Sequence, residues 1–180
     1  MQVVISMLRG VNVGGHRKIK MIVLREICTA LGFKNPQTYI QSGNVVFESG
    51  VTDGVRISEA IEQAIEEAVG FRPNVIVRST GEMAAVVAAN PFAKRDDLNP
   101  AKLVVLFLSG HPGQEVQDKI AGMASDPEEM VLLGRELYIY FPNGMGRSKL
   151  SLAMVERTLK MPATGRNWNT VLKLLEMAGR

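Results

Sequence analysis

The chain has 180 residues, of which 21 are basic and 18 acidic, for a formal net charge of +3 and an isoelectric point near 9.1. A hydrophobic share of 46% and a charged share of 22% exclude a disordered tail, a collagen-like chain and a disulfide-stapled miniprotein. A chain of this length buries about 70% of its extended surface, so it needs neither metal nor disulfide to fold.

Val3 to Leu8 is β-branched and apolar, which predicts a buried strand. A glycine-rich loop follows from Arg9 to Lys18. Met21, Leu24, Cys28 and Leu31 then recur at helical spacing, and Gly32 supplies a stop. Thr38–Gln41 and Val45–Phe47 flank Gly43-Asn44, which reads as a two-residue II′ hairpin turn with glycine first. Ile57, Ile61, Ala64, Ile65 and Ala68 mark a second helix, ended by Gly70. Val75–Val77 is a strand, and Thr80 is the expected cap of a short alanine-rich helix running to about Ala89.

The pattern breaks at residues 91–101, a polar stretch with prolines at 91 and 100, and this is the candidate linker. It separates a first subdomain, 1–90, from a second, 102–180. The second repeats the order of the first. Leu103–Leu108 is a strand, and Val116, Ile120 and Met123 define a helix. Met130–Leu133 and Leu137–Phe141 flank a turn at Gly134-Arg135. Leu152, Val155 and Leu159 define a helix, Ala163–Arg166 stands where a fourth strand belongs, and Val171, Leu174 and Leu175 mark a last helix. Arg78 and Arg166 follow the two hairpin glycines at matching intervals. The fold class is therefore α+β: duplicated ferredoxin-like (alpha-beta plait) βαββαβ units, each with an extra C-terminal helix.

Cys28 is the only cysteine. It excludes an intramolecular disulfide, fits a reducing compartment, and reads as a packed thiol rather than a nucleophile. Met1–Leu8 lacks a basic n-region and a cleavage site, and no apolar run reaches the length of a membrane helix. A cytoplasmic protein with no membrane partner is expected.

The modest net charge hides a segregation. Arg9 to Arg25 holds Arg9, Arg17, Lys18, Lys20 and Arg25 and no acid, and Pro142 to Lys173 holds six basic residues against Glu156 alone. Glu48 to Glu67 is the reverse. Charged helix faces are often merely solvated. Here both basic segments are also rich in glycine and asparagine, and both run from a strand into a helix, a setting suited to anions.

Four runs carry the candidate ligand-binding residues. The first is Arg9–Lys18, with Arg9, Asn12, Gly14 and Lys18. It lacks the spacing of a Walker A loop or a dinucleotide loop, and its alternative role is a tight connection whose glycines supply φ > 0. Arg9 offers a planar, bidentate contact to phosphate or carboxylate. The second, Gln41, Ser42 and Asn44, belongs to a hairpin turn and presents amides. The third comprises Arg147, Ser148 and Lys149, with Ser148 as an expected helix cap, and the fourth Arg166, Asn167 and Asn169 around the only tryptophan. Asn169 or Thr170 would cap the last helix. No metal-ligand spacing, calcium loop or G-x-S-x-G elbow occurs, so no metal and no cofactor are expected. His16 is the one general base near these groups, and whether the chain is an enzyme stays open. The convergent set of Arg, Lys, Asn, Ser and Thr orients anions better than it moves protons.

Leu8–Gly15, Thr38–Val45 and Thr164–Thr170 together resemble the signature runs of the family called domain of unknown function 1697. The resemblance spans essentially the whole chain. It implies a bacterial cytoplasmic protein of two alpha-beta plait subdomains, and it implies no activity, substrate or catalytic residue.

Three functions compete. The first is binding of a phosphate-bearing small molecule or nucleotide in a basic cleft between the subdomains. The second is RNA or DNA binding, against which stand a 6% aromatic content and the lack of a stacking strand. The third is protein interaction without catalysis. The oligomeric state is not legible.

Overall fold

Gln2–Leu8 forms β1, whose even-numbered side chains point to one face and odd-numbered ones to the other. Val4 and Leu8 thereby join a core with Leu24, Phe47, Ile57, Ile61 and Ile65. A computed structural model describes residues 1–123 and 126–179. It is mixed α+β, with two four-stranded antiparallel sheets and six helices among the described residues.

The chain divides into two compact units. One is Met1–Ala85 with Lys173–Arg180, and the other is Val86–Leu172. In the first, β1 is followed by α1 (Met21–Ala30), β2 (Lys34–Tyr39), β3 (Asn44–Ser49), α2 (Gly54–Val69), β4 (Val75–Ser79) and α3 (Thr80–Ala88), which runs past the unit's edge. The sheet order is β2-β3-β1-β4. The second unit holds β5 (Leu103–Leu108), α4 (Gln114–Ala121), β6 (Glu129–Leu133), β7 (Glu136–Tyr140), α5 (Leu152–Leu159), β8 (Ala163–Asn167) and the start of α6 (Trp168–Ala178), with sheet order β6-β7-β5-β8. Adding four to each strand number of the first sheet gives the second.

Three of the helices start on side-chain caps that differ from those expected from sequence, and α2 has both a cap and a glycine stop. Asp53 caps α2 by accepting from the N–H groups of Val55 (2.9 Å) and Arg56 (3.3 Å), and Gly70 ends it at φ 78°. The alanine-rich helix α3 is capped by Ser79, not Thr80. Ser79 Oγ accepts from the Glu82 N–H at 3.2 Å, while Glu82 Oε2 accepts from the Ser79 N–H at 2.8 Å, a capping box. Thr80 instead donates to the Val3 carbonyl. Asn167, not Asn169 or Thr170, caps α6, accepting from the Asn169 N–H at 3.0 Å. Ser151 rather than Ser148 caps α5.

The two hairpins differ. Leu133 pairs with Glu136 across Gly134-Arg135, a two-residue turn with glycine first at φ 61°. In the first unit β2 starts at Lys34, and Tyr39 pairs with Asn44. The connection is thus four residues, Ile40–Gly43, rather than two. Ile40 takes a left-handed φ of 50° and Gly43 one of 76°.

Residues 91–101 carry side chains that pack within the second unit. Phe92 lies 5.8 Å from the Tyr140 ring, and the Arg95 guanidinium sits 4.5 Å over the same ring while pairing with Asp97 and Glu129. Tyr140 Oη also donates to the Asp97 carbonyl at 3.2 Å.

The two central strands of each sheet are largely buried on both faces, whereas the edge strands β2 and β6 are not. On the face of β4 opposite its helix-packed core sits Arg78, 1% exposed and opposite Ile5 in the register. Arg166 on β8 is 7% exposed and opposite Val105. Each is the last residue but one of an end strand. Cys28 is fully buried, and desolvation pushes its thiol up to about 12, which suits a packed thiol and disfavours a thiolate nucleophile.

Ser6 lies on β1 between Val4 and Leu8, and its Oγ is buried with no hydrogen-bond partner among the described residues. An unsatisfied buried hydroxyl is unfavourable. Ser6→Ala should therefore raise stability by about 1 kcal/mol, visible as a higher urea midpoint at unchanged slope. A lower midpoint would show that the hydroxyl is bonded.

Candidate functional site

The site is built where β1 ends. The Leu8 N–H donates to the Gly43 carbonyl and the Arg9 N–H to the Asn74 carbonyl, both at 2.9 Å. The chain then turns through Gly10 at φ 64° into Asn12 at φ 56°. Asparagine tolerates this left-handed region better than most residues. The Asn12 side chain holds the loop closed. Its Nδ2 donates to the Ile19 carbonyl (2.9 Å) and the Gln41 carbonyl (2.7 Å), and its Oδ1 accepts from the Ile19 N–H (2.9 Å). Inside that ring Val13 and His16 bridge across Gly14-Gly15.

Gly43 lets the hairpin turn come this close. A Cβ there would lie 2.6 Å from Val11 Cγ2 and 2.8 Å from Leu8 Cβ, where nothing rigid can give way. The backbone φ and the packing both demand glycine. Asn44 is buried beside it, its amide donating to the Tyr39 carbonyl (3.1 Å) and to Ser42 Oγ (2.8 Å).

The loop delivers the chain to α1. Lys20 is the cap position, its backbone extended at φ −73°, ψ 140°, and its side chain makes no cap bond. Ile19 points inward, 3% exposed, so Lys18 and Lys20 on either side point outward. No acid lies in the first turn of α1. Its first N–H groups therefore add positive potential to the two ammonium groups. Here a pocket of about 690 Å³ opens, lined by Asn12, Gly15, Lys18, Ile19, Lys20, Val23, Gln41 and Val69. Neither lysine pairs with a carboxylate among the described residues. The acids Glu62 and Glu66 of α2 are held by Arg72 at 3.2 and 3.6 Å.

Of the residues singled out by sequence, Asn12, Lys18 and Gln41 meet in this pocket. Arg9, Gly14, Ser42 and Asn44 lie in the same loop and turn but do not line it. Ser42 and Asn44 shape the turn, and Gly14 supplies φ 62° at the loop tip. Lys20, Ile19, Val23, Gly15 and Val69 complete the lining. Lys20 was legible as a cation, whereas Val69 comes from the far end of α2 and leaves no local sign.

The remaining candidates belong to the second unit. Arg147 and Lys149 are exposed around a 3-10 turn at Met145–Arg147. Ser148 Oγ accepts from the Leu150 N–H at 2.9 Å. Arg166 is a strand residue whose guanidinium donates to Thr164 Oγ1 (2.7 Å) and the Gly165 carbonyl (2.8 Å). Burial pulls it down to about 10, which leaves it charged at neutral pH. Asn167 donates to the Ala101 carbonyl at 3.0 Å and lines a smaller cavity of about 190 Å³ with Lys102, Phe141 and Met145. Asn169 is exposed on α6. Among the described residues no group of three or more His, Cys, Asp or Glu is placed to hold a metal ion, and no helix is long and apolar enough to cross a membrane.

The family model described as Protein of unknown function (DUF1697) matches residues 1–138, a span that includes the whole lining of the larger pocket. The chain belongs to that family. The conserved bacterial protein SP0830 from Streptococcus pneumoniae is similar in structure, with 27% identity and a TM-score of 0.73 over 100% of this chain and 99% of the other. No curated protein matches.

Two substitutions separate scaffold from ligand contact. Asn12→Ala breaks three hydrogen bonds and should destabilise the fold by about 2 kcal/mol or more, with faster amide exchange at Ile19. An unchanged denaturation midpoint would show that the ring closes without it. Arg166→Ala removes these two hydrogen bonds and the packing of a buried side chain, and should likewise destabilise the fold by about 2 kcal/mol or more, read as a lower denaturation midpoint. Full stability would return Arg166 to the list of ligand contacts.

Proposed function

We propose that the first unit binds an anionic, phosphate-bearing small molecule in the pocket at the start of α1. The observation that carries this reading is the pair Lys18 and Lys20, both outward and unpaired with any carboxylate among the described residues, over a largely aliphatic cavity at an uncapped helix start. Ammonium groups and free N–H groups attract the anion, and Ile19, Val23 and Val69 exclude water behind it. A proton-transfer role is not part of the reading, because no carboxylate or histidine lines the cavity among the described residues.

We further read each unit as a ferredoxin-like alpha-beta plait and the pair as a duplication. The shared strand order and the matched buried arginines, Arg78 and Arg166, support this. A cytoplasmic location fits the single buried cysteine.

The test is the melting temperature against nucleotides, sugar phosphates and coenzymes at low salt. A ligand at 100 times its Kd stabilises by about 2.7 kcal/mol, a shift of several degrees for a chain of this size. Lys18→Ala/Lys20→Ala should abolish that shift while leaving the melting temperature of the free protein nearly unchanged, since both side chains are exposed. No shift from any phosphate compound would refute the reading.

A further inference from the structure

We infer that the ligand of this pocket is an amphiphilic anion, a phosphate head on a flexible aliphatic body, rather than a nucleotide. The inference rests on the reading above and narrows it. Three features of the lining argue for it.

Among the described residues the wall carries no aromatic ring. Its apolar members are Ile19, Val23 and Val69, branched aliphatics that pack against methylene groups but offer no stacking plane. A nucleobase gains most of its affinity from such a plane.

The amide groups are mostly committed. Both N–H bonds of Asn12 Nδ2 are used, on the carbonyls of Ile19 and Gln41, and its Oδ1 takes the Ile19 N–H. Gln41 alone brings a side-chain amide to the cavity. A base edge presents several donors and acceptors, and those buried without partners oppose binding. An alkyl chain has none to satisfy.

Charge and apolar surface are set apart. Lys18 and Lys20 flank Ile19 on the segment entering α1, and the aliphatic side chains come from Ile19, α1 (Val23) and the end of α2 (Val69). A ligand charged at one end and apolar at the other matches that division. A cavity of about 690 Å³ falls within the range of small-molecule sites, so a medium-length chain fits.

The experiment is a calorimetric series of ethyl, butyl and hexyl phosphate, with inorganic phosphate and adenosine monophosphate alongside. Affinity should rise about fourfold per methylene buried. Lys18→Ala/Lys20→Ala should weaken every member by a similar factor. Val23→Thr/Val69→Thr, which keeps side-chain shape, should flatten the dependence on chain length. Adenosine monophosphate binding more tightly than hexyl phosphate, or a flat series that still binds, would overturn the amphiphile and leave the anion site standing. Absence of binding by every phosphate compound would overturn both. Sedimentation with phosphatidic acid vesicles without binding to hexyl phosphate would assign the lysines to a lipid surface and overturn the soluble ligand.

Discussion

The approach of the Ile40–Gly43 turn to the end of β1 is the contact on which the candidate site depends. Gly43 gives its carbonyl to Leu8 and leaves no room for a Cβ between Leu8 and Val11. With the turn pressed this close, the Gln41 carbonyl falls within reach of Asn12, and Asn12 closes the loop onto Ile19. Ile19 is thereby driven into the core, and the lysines on either side of it are turned out. A single steric allowance at one glycine thus propagates through one asparagine to the placement of two charges. The left-handed φ of Ile40, costly for a β-branched residue, belongs to the same arrangement.

The electrostatics follow from what is missing around those charges as much as from what is there. α1 begins without a side-chain cap and without an acid in its first turn, so nothing in the helix itself offsets its positive end. The acidic helix α2 contributes Val69 to the same cavity, but its Glu62 and Glu66 are engaged by Arg72. The charged side chains lining the pocket are thus both cations, although the net charge of the chain is only +3.

Much of the fold could be read from periodicity. Leu24 and Cys28 mark the buried face of α1, Ile57, Ile61 and Ile65 that of α2, and Gly70 and Gly134 stand at the backbone positions that need them. The misreadings share one cause, namely that several polar residues stand close together and only three-dimensional geometry decides which one bonds. Ser79 rather than Thr80, Ser151 rather than Ser148, and Asn167 rather than Asn169 take the caps. The Gly43-Asn44 pair looked like a two-residue turn because the packing of Val11 on Gly43 leaves no local trace. The site was half legible. The basic loop stood out by composition, but Val69 reaches it only through the packing of α1 beside α2, and Arg166 stood among the ligand-binding candidates because an arginine is rarely buried in a strand.

The second unit supplies an internal control for the basic loop. Its sheet has the same strand order, so Ser109–Gly113, between β5 and α4, takes the place that Arg9–Lys20 takes between β1 and α1. That connection is less than half as long and holds no lysine or arginine. The helix it feeds carries Glu115 in its first turn, held by Lys119 below its usual carboxylate range. A negative side chain there answers the helix's own positive end. This arrangement of strands therefore requires neither a long loop after its first strand nor cations at the helix start. The buried arginine on the end strand, by contrast, is present in both units. What the two units share belongs to the folding of the sheet. What only the first unit has among the described residues — the closed loop and the two outward lysines — is not set by this strand order, and a ligand is the reading proposed for it.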